Sequence, residues 1–541
     1  MKIITYCGIA FIYIFLFFSF SKAGAQQIFN SFNQWSKNNP IEKLYLHTDR
    51  SAYYAGQTIF MKSYFFNDLQ ADTKSTTVYI ELLNSSAEIV VRRVFPVFAG
   101  ISLGQMELTD DIASGNYLLR AYSPAMLNYP GFYFTKVITV VGTAPASPVR
   151  NSIQNNTADI VFFPEGGNLI EGLFNNIAFK VTDKNGTPLN VSGTLKDNTG
   201  EVISNISTVH DGMGMFSLIP LKGQSYYVTL NSNENVLYPL PGAHTKGVSF
   251  IVNTTGKGIV YRIGEQKNTA AEFSAAYIVG QMHNHLVFSR KLENNSNQIN
   301  GIIPDGELPT GILQLTVFNK DYIPLAERLV YINNKEYKIE ASVTKDSVNN
   351  LPFQRNRITL NLKDTIIGHF SVAITDADYE TNPYRSSNIL SYFLLSSDLK
   401  GYIHNPAYYF SSDSAHVKQA LDLLMMTNGW RRFNWKDIAE NKMPETKYHN
   451  DGYISINGTV LKESNQRPLA LTNLVYMMKP VENTSTRYGQ PKVIQTDSLG
   501  NFSIDSLIFS GTIQFSLSEI LGSKSNYLQI QLKEDSLHRT F

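Results

Sequence analysis

The stretch YLHTDRSAYYAGQTIFMKSYFF, residues 45–66, sets His47 and Asp49 two positions apart and follows them with Arg50. On an extended strand, residues two apart share a face. An imidazole and a carboxylate there can act as a base–acid pair. The same residues also read structurally. Asp49 can accept backbone N–H bonds where a strand ends. Ala55-Gly56 suits the two central positions of a type II turn, where glycine supplies the positive φ. Beyond that turn, Ile59, Met61 and Phe65 fall on one face and Phe60, Tyr64 and Phe66 on the other. The structural reading is favoured, because it gives the whole stretch a strand–turn–strand role.

Other candidates resolve in the same way. HNH, His283–His285, can offer two imidazoles to a metal from one strand face. YIVGQMHNHLVFSRKL reads instead as a hairpin with His283 and Asn284 at or near its bend. Neither a third histidine nor a carboxylate lies close in sequence. Glu165 in FFPEGGNLIEG reads as a turn carboxylate, and glycoside hydrolysis needs a second one positioned opposite it. WRRF, Trp430–Phe433, can bind an anion or an aromatic. It reads as well as a core tryptophan with arginines capping helix-end carbonyls. H-E-x-x-H, G-x-S-x-G, P-loop and dinucleotide patterns are absent from the sequence. The sequence therefore predicts no enzyme, and no catalytic, cofactor-binding or metal-binding residue.

What would position such residues is a long, mostly β chain. Its 541 residues suggest about three to five domains. Hydrophobic residues make up 43% and charged ones 17%, enough apolar surface for several cores. The 30 Tyr and 32 Phe suit pleated, half-buried surfaces. A formal net charge of +1 without a basic stripe argues against nucleic acid as a partner.

The first 25 residues read as a secretory signal: Lys2, the apolar run Gly8–Phe20, then Ala23-Gly24-Ala25 as small residues at a cleavage site. Cleavage would leave Gln26 first and no transmembrane helix. The alternative is a retained anchor, since Ile3–Phe20 approaches the ~20 apolar residues of a span. The one cysteine, Cys7, lies inside this segment. The remaining chain can form no disulfide and offers no thiolate ligand or cysteine nucleophile. The sequence thus predicts export to the periplasm, the outer membrane or the cell surface.

After a polar run, QQIFNSFNQWSKNNP, that suits a linker or short helix, apolar alternations separated by turn clusters predict serial β-sandwiches. The boundaries fall at 41–142, 158–243, 247–334, 336–445 and 452–535. Turns are explicit at DKNGTP, DNTGE and HDGMG. A small helical insertion is expected near 386–428. It holds two helices: SSNILSYFLLSSDLKG, with Ile389, Leu390, Phe393 and Leu394 at helical spacing, and a second with Ser412, Asp413 and Ser414 as N-cap candidates, Val417, Ala420, Leu421, Leu424 and Met425 as apolar stripe and Asn428-Gly429 as stop.

LHTDRSAYYAGQTIFMKSY, VYIELLNSSAEIVVRR and LTDDIASGNYLLRAYS together resemble the second macroglobulin domain of the alpha-macroglobulin superfamily over about Glu42 to Ser123. The order of FFPEGGNLIEGLFNNIAFKVTDKNGTP, LPTGILQLTVFNKDYIPLAERLVYIN, NILSYFLLSSDLKGYIHNPAYYF and MMTNGWRRFNW resembles large Bacteroidetes cell-envelope proteins. In those, the block after GWRRFNW is a carboxypeptidase-regulatory-like sandwich, which ISINGTVLKESNQRPLALTNLVYMM and TDSLGNFSIDSL resemble. Many relatives continue into a TonB-receptor plug. RIGEQ, Arg262–Gln266, resembles the end of the macroglobulin thioester motif, but Ile263 stands where the reactive cysteine would be. The resemblance implies macroglobulin- or immunoglobulin-like sandwiches in a non-catalytic envelope scaffold or binding module. The partners it implies are proteins or polysaccharides, and its finer form is an accessory part in TonB-type uptake. A thioester-free endopeptidase inhibitor is the alternative it implies.

Overall fold

The computed structural model describes residues 23–533 except 69, 130, 143–157, 268, 294–296, 350, 364–367, 377–386, 430–432, 441, 443, 451–452, 481–490, 508–512 and 520–527. The expected leader falls largely on residues 1–22, and Trp430, Arg431 and Arg432 of WRRF lie at 430–432; both are outside the described residues. The chain is mainly β, built as serial sandwiches with a small helical segment. Among the described residues no helix is long and apolar enough to cross a membrane.

The polar run opens as a helix, α1 (Ala23–Asn38). Ile28, Phe32 and Trp35 recur at i, i+4 and i+7, one helical face, and all three are buried.

The first sandwich comprises β1 (Glu42–Thr48), β2 (Ala52–Tyr54), β3 (Thr58–Asn67), β4 (Gln70–Ala71), β5 (Thr77–Leu83), β6 (Ile89–Pro96), β7 (Ile101–Glu107), β8 (Gly115–Tyr122) and β9 (Phe134–Val141). One sheet runs β1-β3-β4 with β7 also on β3, and the other runs β2-β9-β8-β5-β6. Leu44, Leu46, Ile59, Phe65, Val78, Leu82, Leu119 and Ile138 pack between them. Alternation along β3 decides the faces: Ile59, Met61 and Phe65 go in, while Phe60 stays 54% exposed.

The second sandwich has β10 (Asp159–Pro164), β11 (Asn175–Thr182), β12 (Ser192–Asp197), β13 (Val202–Ser207), β14 (Met213–Leu218), β15 (Tyr226–Leu230) and β16 (Asn233–Pro239), in sheets β10-β11-β14 and β13-β12-β15-β16. The turns read from its sequence carry Gly186, Gly200 and Gly212 at positive φ. The third has β17 (Val248–Thr255), β18 (Gly258–Glu265), β19 (Tyr277–Met282), β20 (His285–Lys291), β21 (Gln298–Ile303), β22 (Gly311–Phe318) and β23 (Pro324–Ile332), in sheets β17-β18-β21 and β20-β19-β22-β23.

Within 336–445 the described residues form one two-stranded sheet, β24 (Ala341–Ser347) with β25 (Arg357–Leu362), followed by a helical segment. Val343, Ile358 and Leu360 of that hairpin are exposed. The helical segment starts at α2 (Ile389–Ser391), where Asn388 and Ser391 cap each other, and runs into a π-helical turn over Tyr392–Ser396. A 3₁₀ turn (Pro406–Phe410), α3 (Ala415–Thr427) and α4 (Trp435–Ala439) follow. Ser414 is the N-cap of α3, accepting from the Val417 N–H. The α3 stripe packs on both neighbouring sandwiches: Ala178 and Met213 of the second, Ile312, Leu329 and Tyr331 of the third.

The last sandwich pairs β29-β26-β31 with β28-β27-β30. These are β26 (Ile454–Lys462), β27 (Asn473–Pro480), β28 (Lys492–Gln495), β29 (Asn501–Leu507), β30 (Ile513–Glu519) and β31 (Leu528–Leu532).

Candidate functional site

The opening stretch is built as its turn chemistry dictates. The Gln57 N–H donates to the Tyr54 carbonyl at 3.1 Å across Ala55-Gly56, and Gly56 sits at φ 77°. Asp49 Oδ1 accepts from the Tyr53 hydroxyl at 2.8 Å and from the Phe60 N–H at 3.0 Å. Its Oδ2 pairs with Arg50 Nε at 3.1 Å. Burial, then the Asp49 carboxylate, pushes the Tyr53 phenol above its usual range. Asp49 thus ties the end of β1 to β3 and to Tyr53.

His47 is directed to a different group. Its Nδ1 lies 2.6 Å from Ser371 Oγ, which also accepts from the Tyr64 hydroxyl at 2.7 Å. Lys62 Nζ donates to the Phe370 carbonyl at 2.9 Å. Burial first, and then the nearby Lys136 charge, holds the imidazole below its usual pKa. A serine on a neutral histidine is the beginning of a nucleophilic pair. Here the pair lies where Phe370-Ser371 crosses the outer face of β1 and β3, and its hydrogen bonds fasten that crossing.

His283 and Asn284 form the two-residue bend between β19 and β20, with φ of 45° and 66°, as a type I′ turn requires. The two imidazoles take separate partners: His283 Nε2 meets the Thr310 carbonyl at 3.0 Å, and His285 Nε2 meets Asp68 Oδ2 at 3.4 Å. Among the described residues no group of three or more histidine, cysteine, aspartate or glutamate side chains is arranged to hold a metal. In RIGEQ, Ile263 is core, and Glu265 accepts from the Ala275 N–H at 2.7 Å.

Glu165 goes beyond the turn role read from its sequence. Its backbone does enter a glycine turn, with Gly166 and Gly167 at positive φ. Its side chain is buried and accepts from Arg328 Nε at 2.9 Å, the Val252 N–H at 2.9 Å and Asn176 Nδ2 at 2.8 Å. Arg328, on β23, also pairs with Asp422 of α3 at 2.7 Å. One guanidinium therefore joins the second sandwich, the third sandwich and the helical segment. Lys43 of β1 meets Asp398 at 2.6 Å, linking the first sandwich to the same segment. An aromatic cluster closes the other side. Phe32 of α1 lies 5.2 Å from Trp435 of α4, which lies 5.1 Å from Phe318 of β22. Trp435 Nε1 donates to Thr316 at 3.1 Å.

A further buried carboxyl, Glu42, marks where residues 447–450 cross the first sandwich. It accepts from Ser75, from Ser123 at 2.8 Å and from Asn450 Nδ2 at 3.4 Å. Burial above all raises its pKa to about 7, with the Asp72 charge adding to the rise. Asn128 holds the same crossing, accepting from the Lys447 and Tyr448 N–H groups at 2.9 and 3.0 Å. Glu42 can take up a proton at this crossing, while Asn128 pins it by hydrogen bonds alone.

No family model and no curated protein matches the chain. Solved structures do align with it. Over 91% of this chain and 43% of the other, it is similar to Escherichia coli alpha-2-macroglobulin activated by porcine elastase, at 8% identity and a TM-score of 0.22. Over 54% and 34%, it is similar to dimeric latent PorU from Porphyromonas gingivalis, at 13% and 0.23. Over 56% and 49%, it is similar to domains 4–9 of surface layer protein SbsC, at 15% and 0.20. The chain spans less than half the length of each of these. Identities and TM-scores this low carry no statement about activity.

Proposed function

We propose that this chain is a non-catalytic scaffold and binding module exported to the cell envelope, with its sandwiches as spacers and contact surfaces. The observation that carries this reading is where the buried charges go. Buried Glu165 and Arg328, and Lys43 with Asp398, are spent on joining units, with the half-exposed Asp422 as a further partner of Arg328. The His47–Ser371 pair is likewise spent on fastening a chain crossing. Proteins or polysaccharides of the envelope are the partners this reading implies, and accessory service to a TonB-type uptake system is its finer form. Cell fractionation followed by pull-down from the envelope tests it. Recovery in the membrane or periplasmic fraction with stable partners supports it; recovery as a free cytoplasmic monomer overturns it. Incubation with endopeptidases separates off the inhibitor alternative. Protection of protein substrates but not of small peptide substrates would replace the scaffold reading with that one.

A further inference from the structure

Where the first sandwich, the third sandwich and the helical segment meet, Lys43, Asp68, Gln281, His283 and Asp398 line one cavity together with two isoleucines. It offers about 10 Å³ to the centre of a water molecule, close to the least volume that holds one water. Gln281 is only 3% exposed and Lys43 only 4%.

Hydrogen-bond accounting defines what fits there. Glu327, a carboxylate, accepts from Gln314 Nε2 at 3.2 Å, which fixes the Gln314 amide with its oxygen towards Gln281. Gln281 Nε2 donates to that oxygen at 2.9 Å, so Gln281 Oε1 is the atom left over. It is buried and has no partner. His283 Nε2 faces the Thr310 carbonyl, which can only accept, so Nε2 carries the proton. Burial holds this imidazole below its usual pKa, hence neutral, and its Nδ1 is an acceptor. That Nδ1 is also buried and unpartnered, as is Asp68 Oδ1. On the donor side, Lys43 Nζ gives one N–H to Asp398 at 2.6 Å and one to the Phe393 carbonyl at 3.1 Å. An ammonium has three.

We propose that this cavity binds one water molecule, which accepts the third Lys43 N–H and donates to two of Asp68 Oδ1, Gln281 Oε1 and His283 Nδ1. A water donates twice and accepts, so it takes the spare Lys43 N–H and serves two of the three orphaned acceptors. A metal or ammonium ion would supply charge to the acceptors but would face the Lys43 ammonium across a cavity one water wide. A hydrated polar joint therefore lies beside the aromatic packing of Tyr392 and Phe393 where the first sandwich meets the helical segment.

The test is a high-resolution crystal structure of the full chain, from native crystals and from crystals soaked in rubidium chloride. The expected result is one density peak roughly 2.7–3.2 Å from Lys43 Nζ and from at least two of the three acceptors, with no anomalous signal from rubidium. A rubidium signal at the peak overturns the proposal in favour of a cation site. A cavity without a peak, its acceptors turned onto protein donors, overturns it outright.

Discussion

Glu81 and Glu165 are both buried carboxylates held by arginine, and they do opposite jobs. Glu81, on the central strand β5, faces Arg92 of β6 and Arg120 of β8, its direct register partners on either side. Arg92 approaches to 2.6 Å and Arg120 to 2.5 Å, and the Tyr122 hydroxyl donates at 2.9 Å. Every partner belongs to one sheet, and the arginines keep 17% and 12% of their side chains exposed. Glu165 takes its arginine from another sandwich, and that arginine is 3% exposed. The first arrangement consolidates a sheet that its ladder already specifies. The second reinforces a junction between bodies whose strand pairing there is one isolated bridge, Gly166 with Glu327, and not a ladder.

The largest effect should come from removing the second arrangement. Arg328→Ala leaves Glu165 buried without its cation, a loss of about 3–5 kcal/mol. A chain of several units does not unfold in two states, so hydrogen exchange resolved by segment is the proper measurement. Exchange should rise in α3 and along the facing edges of the second and third sandwiches, while the first sandwich keeps its protection. Glu81→Ala should do the reverse, with a smaller loss of roughly 1–3 kcal/mol confined to β5, β6 and β8. Equal patterns for the two variants would erase the distinction between them.

Glu42 sharpens the comparison with pH. Its folded pKa, about 7, stands above the usual 4.5. Below pH 4.5 both folded and unfolded chains hold the proton and nothing is lost. Between 4.5 and 7 the unfolded chain releases it first, so stability falls as pH rises. Above 7 the full cost, on the order of 3 kcal/mol, is in place. Glu42→Gln should flatten this fall, and protection of the 447–450 crossing should then no longer weaken between pH 5 and 8 as it should in the native chain. An unchanged pH dependence in the variant would assign the titration to another group.

What was legible in the sequence was local. The Ala55-Gly56 turn, the His283-Asn284 bend, the glycine turns of the second sandwich and the Ser414 cap each depend on residues within four positions of one another. Backbone sterics act at that range. The mainly β class followed from alternation for the same reason. The contacts that decide how units meet were not legible. Arg328 finds Glu165 across 163 positions and Asp422 across 94, and no period or spacing encodes such a pairing. Glu165 shows the boundary within one residue: its backbone is the turn its glycines announce, while its side chain answers to a partner in another sandwich. Ser371 gave no signal at all. Its place is set by where a later segment crosses β1 and β3.

Two smaller effects complete the series, and both test whether a local feature stays local. Ser414→Ala removes the side-chain acceptor for the Val417 N–H at the start of α3. It should cost about 1 kcal/mol, with faster exchange in the first turn of α3 and none of the spread along the sandwiches that Arg328→Ala produces. His47→Ala should cost least. The imidazole is half-buried and gives up one hydrogen bond, to Ser371, which keeps the Tyr64 hydroxyl as a donor. A change within about 0.5 kcal/mol is expected, along with unchanged partner recovery in an envelope pull-down. Asp49 provides the contrast inside the same stretch. Its carboxylate holds both the Tyr53 hydroxyl and the Phe60 N–H, so Asp49→Ala should cost more than His47→Ala, by about 1–2 kcal/mol. The reverse order, or loss of partner recovery in His47→Ala with the fold intact, would mean that the imidazole serves a bound molecule as well as the fold.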